Sequence, residues 1–488
     1  MNTRLLRKPR MGAVLVAMLA LAMSSLGRAG EADLRGEAAE ALSKAIRFFR
    51  QRVATEGGYL WRYSEDLSRR EGEGKASPTT VWVQPPGTPS VGMAMLEAYR
   101  ATGEPYYLEG ARQAGYCLLR GQLESGGWTY RIEFDPADRR RYRYRADGAA
   151  ARPKARNVST LDDNTTQAAL QLLMRLDEVL GFQDAKIHEG AEYALQRLLA
   201  VQYPNGAWPQ GFERPPDPAR HPIKKAQYPE TWARVYPGGD YWHYYTLNDN
   251  ALGDTIEVLF EAGRVYKKQQ YMDAARRAAD FLLLAQMPDP QPAWAQQYDF
   301  EMHPAWARKF EPPAITGGES QGVLRTLLEV YRQTGDRKYL QPIPRAIAYL
   351  RRSELPSGRL ARFYELKTNR PLYFTRKYEL TYRDDDLPTH YAFQLPSQLD
   401  AIEAEYRRLL ASGAQPRPAQ PGRPAQPSPR LVAQVKAVIA ALDDQGRWIE
   451  AGKLRYHGKD DPTERIIDCQ TFIANVRLLS TYLAAAGP

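Results

Sequence analysis

The sequence predicts an all-α fold, an (α/α) toroid of about six helical hairpins with irregular loops at one rim. Two observations carry the prediction. Amphipathic runs come in pairs at a spacing of about 66 to 88 residues, the period of a helical repeat rather than of a solenoid of short units. A Gly-x-aromatic phrase follows the first run of each pair. Two copies share Q-x-x-x-G-x-W outright, Gln122 to Trp128 and Gln202 to Trp208. No alternating run is long enough to compete as a strand that would organise the fold.

In chain order, the first 29 residues read as an export signal: Arg4, Arg7, Lys8 and Arg10, an apolar run shorter than a membrane span, then small residues around Gly27 and Ala29. The protein is therefore expected to be exported, with no later transmembrane segment. Residues 30–410 are expected to form the body of the ring. The first runs of the pairs are placed at 38–53, 106–119, 187–199, 271–284, 339–351 and 431–442. The second runs are placed at 91–102, 165–180, 251–267, 318–334, 397–410 and 469–485. The Gly of each phrase should end its helix in the left-handed region, and the aromatic should pack beneath the next turn, so the Gln and Trp repeats read as scaffold. Looser copies follow at Gln286 and Trp294, at Leu360 and at Trp448, after an opening copy at Tyr59.

Three insertions interrupt the pairs. Residues 134–157 are basic, 212–240 are Pro-rich and aromatic, and 411–430, ASGAQPRPAQPGRPAQPSPR, read as a Pro-rich linker to a last helix pair at 431–488. The formal net charge is +10. Half of it lies in the leader, and the moderately basic remainder suits an acidic polymer while lacking the unbroken basic runs of a nucleic-acid tail. Cys117 and Cys469 cannot make a disulfide framework and read as buried thiols. None of the six histidines stands in a zinc-ligand array.

Two places could carry chemistry. Residues 358–377 hold Arg359, Arg362, Lys367, Arg370, Arg376 and Lys377 against one acid, Glu365, among aromatic residues, and read as an ordered loop whose guanidinium groups converge on an anion. Two acid and amide phrases, Asp162-Asp163-Asn164 and Asn248-Asp249-Asn250, stand just before second-type helices of adjacent repeats. Each is an N-cap by residue type. Each also offers more oxygens than a cap uses, at points that are neighbours on one rim, so Asp163 and Asp249 could share a hard cation. Residue type leaves both readings open.

The phrases NVSTLDDNTTQ, GAWPQGFE, YTLNDNALGD, RKFEPPAITGGESQGVLR and ARFYELKTNRPLYFTR, in this order, resemble the pectate lyases of polysaccharide lyase family 10, the pectic acid lyases, over about residues 91–393. The resemblance implies a helical toroid that cleaves polygalacturonate by β-elimination with calcium. It places metal and carboxylate binding on Asp163 and Asp249 with Asn164 nearby, substrate clamps on Arg308 and Arg362, and the base on Arg376. Where the family has Gly-Arg-Asp-Gly, this chain has Thr375-Arg376-Lys377-Tyr378, which leaves Arg370, otherwise a binding candidate, as the next candidate base. An arginine base acts only when neutral, so an alkaline optimum follows. The expected partner is an acidic polysaccharide, galacturonan, with no nucleic acid, and the expected state is a monomer. Two other classes fit parts of the chain: a toroidal glycoside hydrolase with Asp163 and Asp249 about 5 to 10 Å apart across a sugar, and a uronate-binding protein without turnover.

Overall fold

The computed structural model describes residues 33–148, 154–414 and 426–486. The predicted export signal and residues 415–425 of the predicted linker lie outside the described residues. Twelve longer helices run through the rest, two to a hairpin. In chain order they are α1 (33–48, closing in a π turn at Phe49–Val53), α2 (Thr88–Thr102), α3 (Pro105–Arg120), α4 (Thr165–Val179), α5 (Ala185–Ala200) and α6 (Ala251–Tyr266). They continue with α7 (Gln269–Leu284), α8 (Gly317–Thr334), α9 (Ile343–Arg352), α10 (Leu399–Ser412), α11 (Pro429–Ala440) and α12 (Cys469–Ala486). The even-numbered helices pack side by side as an inner ring in the order α12, α2, α4, α6, α8, α10, and the odd-numbered helices back them. This is the (α/α) toroid that the paired runs predicted.

Local chemistry sets the helix ends. Asp184 accepts hydrogen bonds from the amides of Lys186 and Ile187 at the start of α5, and Ser428 caps α11 in the same way. Gly103 and Gly335, both left-handed, close α2 and α8. One predicted helix starts late: 339–351 is a short 3-10 turn, Arg337–Leu340, followed by α9 from Ile343. Pro342, with no N–H to continue the ladder, sits at the join.

The repeated phrases are scaffold, as expected. The indole Nε1 of Trp128, Trp208, Trp294 and Trp448 donates to the carbonyl of Leu118, Leu198, Leu282 and Val438 respectively, at 2.8 to 2.9 Å, so each ring is pinned beneath the helix before it. Gln122 and Gln202 each donate to the Gly of their own phrase and to a carbonyl of the next odd-numbered helix, Gly190 and Ala274. Gly206 needs its freedom twice over: φ is +94°, and a Cβ there would run into the carbonyl of Arg277. Cys117 and Cys469 are buried free thiols.

Strands of two to four residues edge one face of the ring. Arg62–Ser64 pairs antiparallel with Arg465–Asp468, Arg62 opposite Asp468, which ties the first repeat to the last; Phe49 stacks on Phe472 behind it. A four-stranded sheet in the order Leu380–Thr381, Pro371–Phe374, Phe363–Glu365, Ala314–Thr316 stands beside α8. No helix among the described residues is long and apolar enough to cross a membrane.

Candidate active site

The two acid phrases fold alike. Each is a 3-10 turn in which the Asp and the Asn after it are both left-handed, Asp163 and Asn164 at φ 48° and 57°, Asp249 and Asn250 at 46° and 59°. Asp and Asn tolerate this region better than other residues, yet two in succession are uncommon, and the repetition marks a shared requirement. Neither Asn164 nor Asn250 makes a side-chain cap bond to the helix that follows. Of the two readings that residue type left open, capping is therefore not what these side chains do.

The turns instead bring carboxylates together. One carboxylate oxygen from each of Asp162, Asp163 and Asp249 lies within 4.8 Å of the others. Gln84 Nε2 donates to Asp163 at 2.8 Å, Tyr130 Oη to Asp162 at 2.8 Å, and Asn248 Nδ2 to Asp249 at 2.6 Å. Glu319, in the first turn of α8, adds a fourth acid whose charge acts on Asp249. Gln84, the Asp162 pair, Asp249 and Glu319 thus come from the starts of four neighbouring inner helices, α2, α4, α6 and α8. Helix N-termini favour negative charge, which suits both the acids and an anionic ligand.

Two arginines border the acids. Arg308 fixes its Nε on buried Glu311 at 2.9 Å, and its Nη2 lies 3.6 Å from Asp249. Tyr391 donates to the other oxygen of Glu311 at 2.8 Å. Arg362 donates from Nε to the carbonyl of Ala392 at 2.7 Å, covers the Tyr391 ring at 4.4 Å, and turns Nη1 to Glu319 at 3.7 Å. Burial works against the charge on Arg308, but Glu311 outweighs it and Asp249 adds to it, so the guanidinium is held above its ordinary value.

The remaining cations of 358–377 do not converge. The stretch is a strand hairpin rather than a loop, and it fans them out. Arg359 donates to the carbonyl of Gln394 and Arg370 lies on the Tyr382 ring at 3.6 Å. Arg376 is 69% exposed and pairs with Asp386 at 3.4 Å. Of the cations in this segment, Arg362 is the one that reaches the acids. Glu365 is taken up by Arg234, Tyr382 and Thr368.

The donor set fits a hard divalent cation. Asp162 Oδ1, Asn164 Oδ1, Asn248 Oδ1 and Glu319 Oε2 are buried oxygens with no hydrogen-bond donor, a state that costs free energy unless something positive arrives. Burial, with Asp162 and Asp163 alongside, pushes Asp249 up to about 8 against the opposing pull of Arg308. Burial, Asp162 and Glu73 push Asp163 up to about 6. Crowded carboxylates of this kind are relieved by a cation.

Sequence reasoning named Asp162 within its phrase but gave it no ligand role, and it did not single out Gln84, Glu311 or Tyr391. Aligning the two turns residue by residue, Asp162 on Asn248 and Asp163 on Asp249, was the signal that could have found the first. The others come from distant loops that no spacing relates to the acids.

Residues 137–355 match the model of the pectic acid lyase family. The matched stretch is a little under half of the chain. Both acid turns, Arg308 and Glu319 fall inside it, whereas Gln84, Arg362 and Tyr391 fall outside it. No curated protein matches the chain. Solved structures similar to this chain include a family 10 polysaccharide lyase from Cellvibrio cellulosa, 19% identical over 64% of this chain and 94% of that one, with a TM-score of 0.44. A mutant of that Cellvibrio protein, in complex with trigalacturonic acid, gives the same identity and TM-score over 98% of its chain. An α-mannanase of Bacteroides thetaiotaomicron is 10% identical over 92% of this chain and 95% of its own, with a TM-score of 0.41.

Proposed function

We propose that this chain is an exported, calcium-assisted lyase that cleaves a polygalacturonate-like polymer by β-elimination with an arginine base. One observation carries the reading: carboxylates from adjacent repeats meet, unspent on capping and with buried oxygens unmatched, beside Arg308 and Arg362. Three oxygens converging on one point suit a cation better than they suit two hydrolase acids facing each other across a sugar.

Asp162, Asp163 and Asp249 would hold the ion. A divalent cation bound there would withdraw charge from the substrate carboxylate and acidify the proton on the neighbouring carbon, C5. Arg362, already oriented by Ala392 and Tyr391, offers its guanidinium to the same carboxylate as charge develops on it. Arg308 takes the C5 proton. It replaces Arg376 in that role because a base must lie within hydrogen-bond reach of the proton it takes, beside the grip on the carboxylate. Arg308 touches that grip, and Arg376 pairs with Asp386 instead. As the proton leaves C5, the electron pair forms the C4–C5 double bond, and the C4–O4 bond breaks with protonation of the departing oxygen by water. Glu311 holds Arg308 charged, and a cation held by the acids beside it would oppose that charge, so the neutral base is populated only in alkali and the rate should rise well above neutral pH.

The test is polygalacturonate with enzyme, with and without chelator, followed by the ultraviolet absorbance of the 4,5-unsaturated uronate. Unsaturated product lost on chelation is expected. New reducing ends without unsaturation would make the chain a hydrolase, and calcium-dependent binding without product a uronate-binding protein; either result ends the reading.

A further inference from the structure

Beside the acid and arginine site lies a groove of about 620 Å³ built by the Pro-rich, aromatic insertion and by the loop that leads to Arg308. Its walls are Trp232, Tyr236, Tyr241, Tyr244 and Trp306. The groove adjoins the site: Ala307, the residue before Arg308, lines it, and the charges of Arg308, Glu311 and Asp162 act on Tyr241 in its wall. The walls are braced from behind, Trp306 by donating to the carbonyl of Ala233 at 3.0 Å and packing on Tyr236 and Phe374, and Trp232 by the guanidinium of Arg234 at 4.1 Å.

The charges of the groove differ from those of the site. No lysine or arginine is among the described residues that line it, whereas Asp240 and Asp299 are. Arg234, the cation nearest in sequence to the aromatic wall, is turned away onto buried Glu365 and Tyr382. Of the two histidines in the lining, His303 sits against Asp299 at 3.5 Å and His243 packs on Tyr244 and Phe300. A free uronate carboxylate placed here would meet two acids and neither lysine nor arginine, while the ring faces offer stacking area to the C–H face of a pyranose.

Resting on the lyase reading above, we propose that this groove is a subsite that selects a methyl-esterified uronate, the uncharged neighbour of the charged unit gripped at Asp163, Asp249 and Arg362. The enzyme would then cleave partly esterified polymer at a free uronate flanked on this side by an ester, reading charge at one subsite and its absence at the next.

The experiment compares kcat/KM on fully de-esterified polygalacturonate and on the same polymer about half methyl-esterified, for the wild type and three variants. Trp232→Ala should lose about tenfold on the esterified polymer, through KM, equivalent to about 1.4 kcal/mol, and change by about twofold or less on the de-esterified one. Trp232→Phe, which keeps a ring, should recover most of the loss. Thr231→Arg, on the exposed edge of the groove, should reverse the preference by supplying the missing cation. Equal losses on both polymers, or none on either, overturn the proposal. If Trp232→Ala lowers the melting temperature, Thr231→Arg decides: an unchanged preference overturns the proposal. If the wild type yields no unsaturated product from either polymer, the lyase reading falls instead. Calorimetric titration with methyl-esterified and free oligogalacturonides then tests the groove alone, and tighter binding of the free acid overturns it.

Discussion

Two kinds of phrase recur in this chain, and they fold to opposite ends. Gln122 and Gln202, with Trp128 and Trp208, place their donors on carbonyls of their own and neighbouring helices, so each copy locks its repeat to the next. Asp162 to Asn164 and Asn248 to Asn250 recur in the same repeats, yet they leave buried oxygens without donors, hold two residues each in the left-handed region, and cap nothing. A recurring phrase whose hydrogen bonds close on the protein is scaffold. A recurring phrase left open at a cost is kept for something that binds.

Substitutions can break this contrast, and the largest effect belongs to the locks. Trp208→Ala should cost about 3–5 kcal/mol in denaturant unfolding by opening a cavity beneath α5. The fraction that stays folded should keep its activity. Asp249→Ala and Asp163→Ala should do the reverse: a loss of about a hundredfold to a thousandfold in kcat/KM, with no loss of melting temperature measured in chelator. If either Asp variant unfolds as readily as the Trp variant, the contrast fails.

Smaller effects sharpen it. Gln202→Ala strands the carbonyls of Gly206 and Ala274 and should cost about 1–3 kcal/mol of stability. The acids should destabilise the metal-free protein as pH rises. With Asp163 raised to about 6 and Asp249 to about 8, the folded chain keeps protons that the unfolded chain has released. Stability in chelator is then full below pH 4 and falls as pH rises through 6 to 8; calcium should restore it, and Asp249→Asn should flatten the slope in thermal melts. Smallest of all, Arg376→Ala should change kcat/KM by about twofold or less, as an exposed side chain does, whereas Arg308→Lys, which loses the fork between Glu311 and Asp249, should fall with the Asp variants.

The hairpins were legible because amphipathic periodicity is local: α4, α6 and α8 start and end within a residue of where the pattern put them. Pro342 shows the limit, since a proline inside a periodic run delayed α9 without disturbing the pattern around it. Asp163 and Asp249 were legible as a pair because the repeat itself aligns them. The dispersal of the arginines in 358–377 was not legible, because composition counts charges while a hairpin decides where each one points. Arg362 faces Glu319 and Arg376 faces Asp386, fourteen positions apart in one segment. Glu311 reaches Arg308 at i and i+3 outside any helix, and Gln84 reaches Asp163 from the adjacent repeat; neither distance leaves a trace in the pattern of residues.

The ladder between Arg62–Ser64 and Arg465–Asp468 makes the circle's joint a seam of hydrogen bonds, not a peptide bond. In the sequence, α10 and α11 are joined by a proline-laden tether. Nicking that tether should release nothing: α12 would stay clasped to α2 through the seam and through Phe472 on Phe49, and the mouth would keep its shape. Splitting the ladder should instead spring the ring while every peptide bond remains whole.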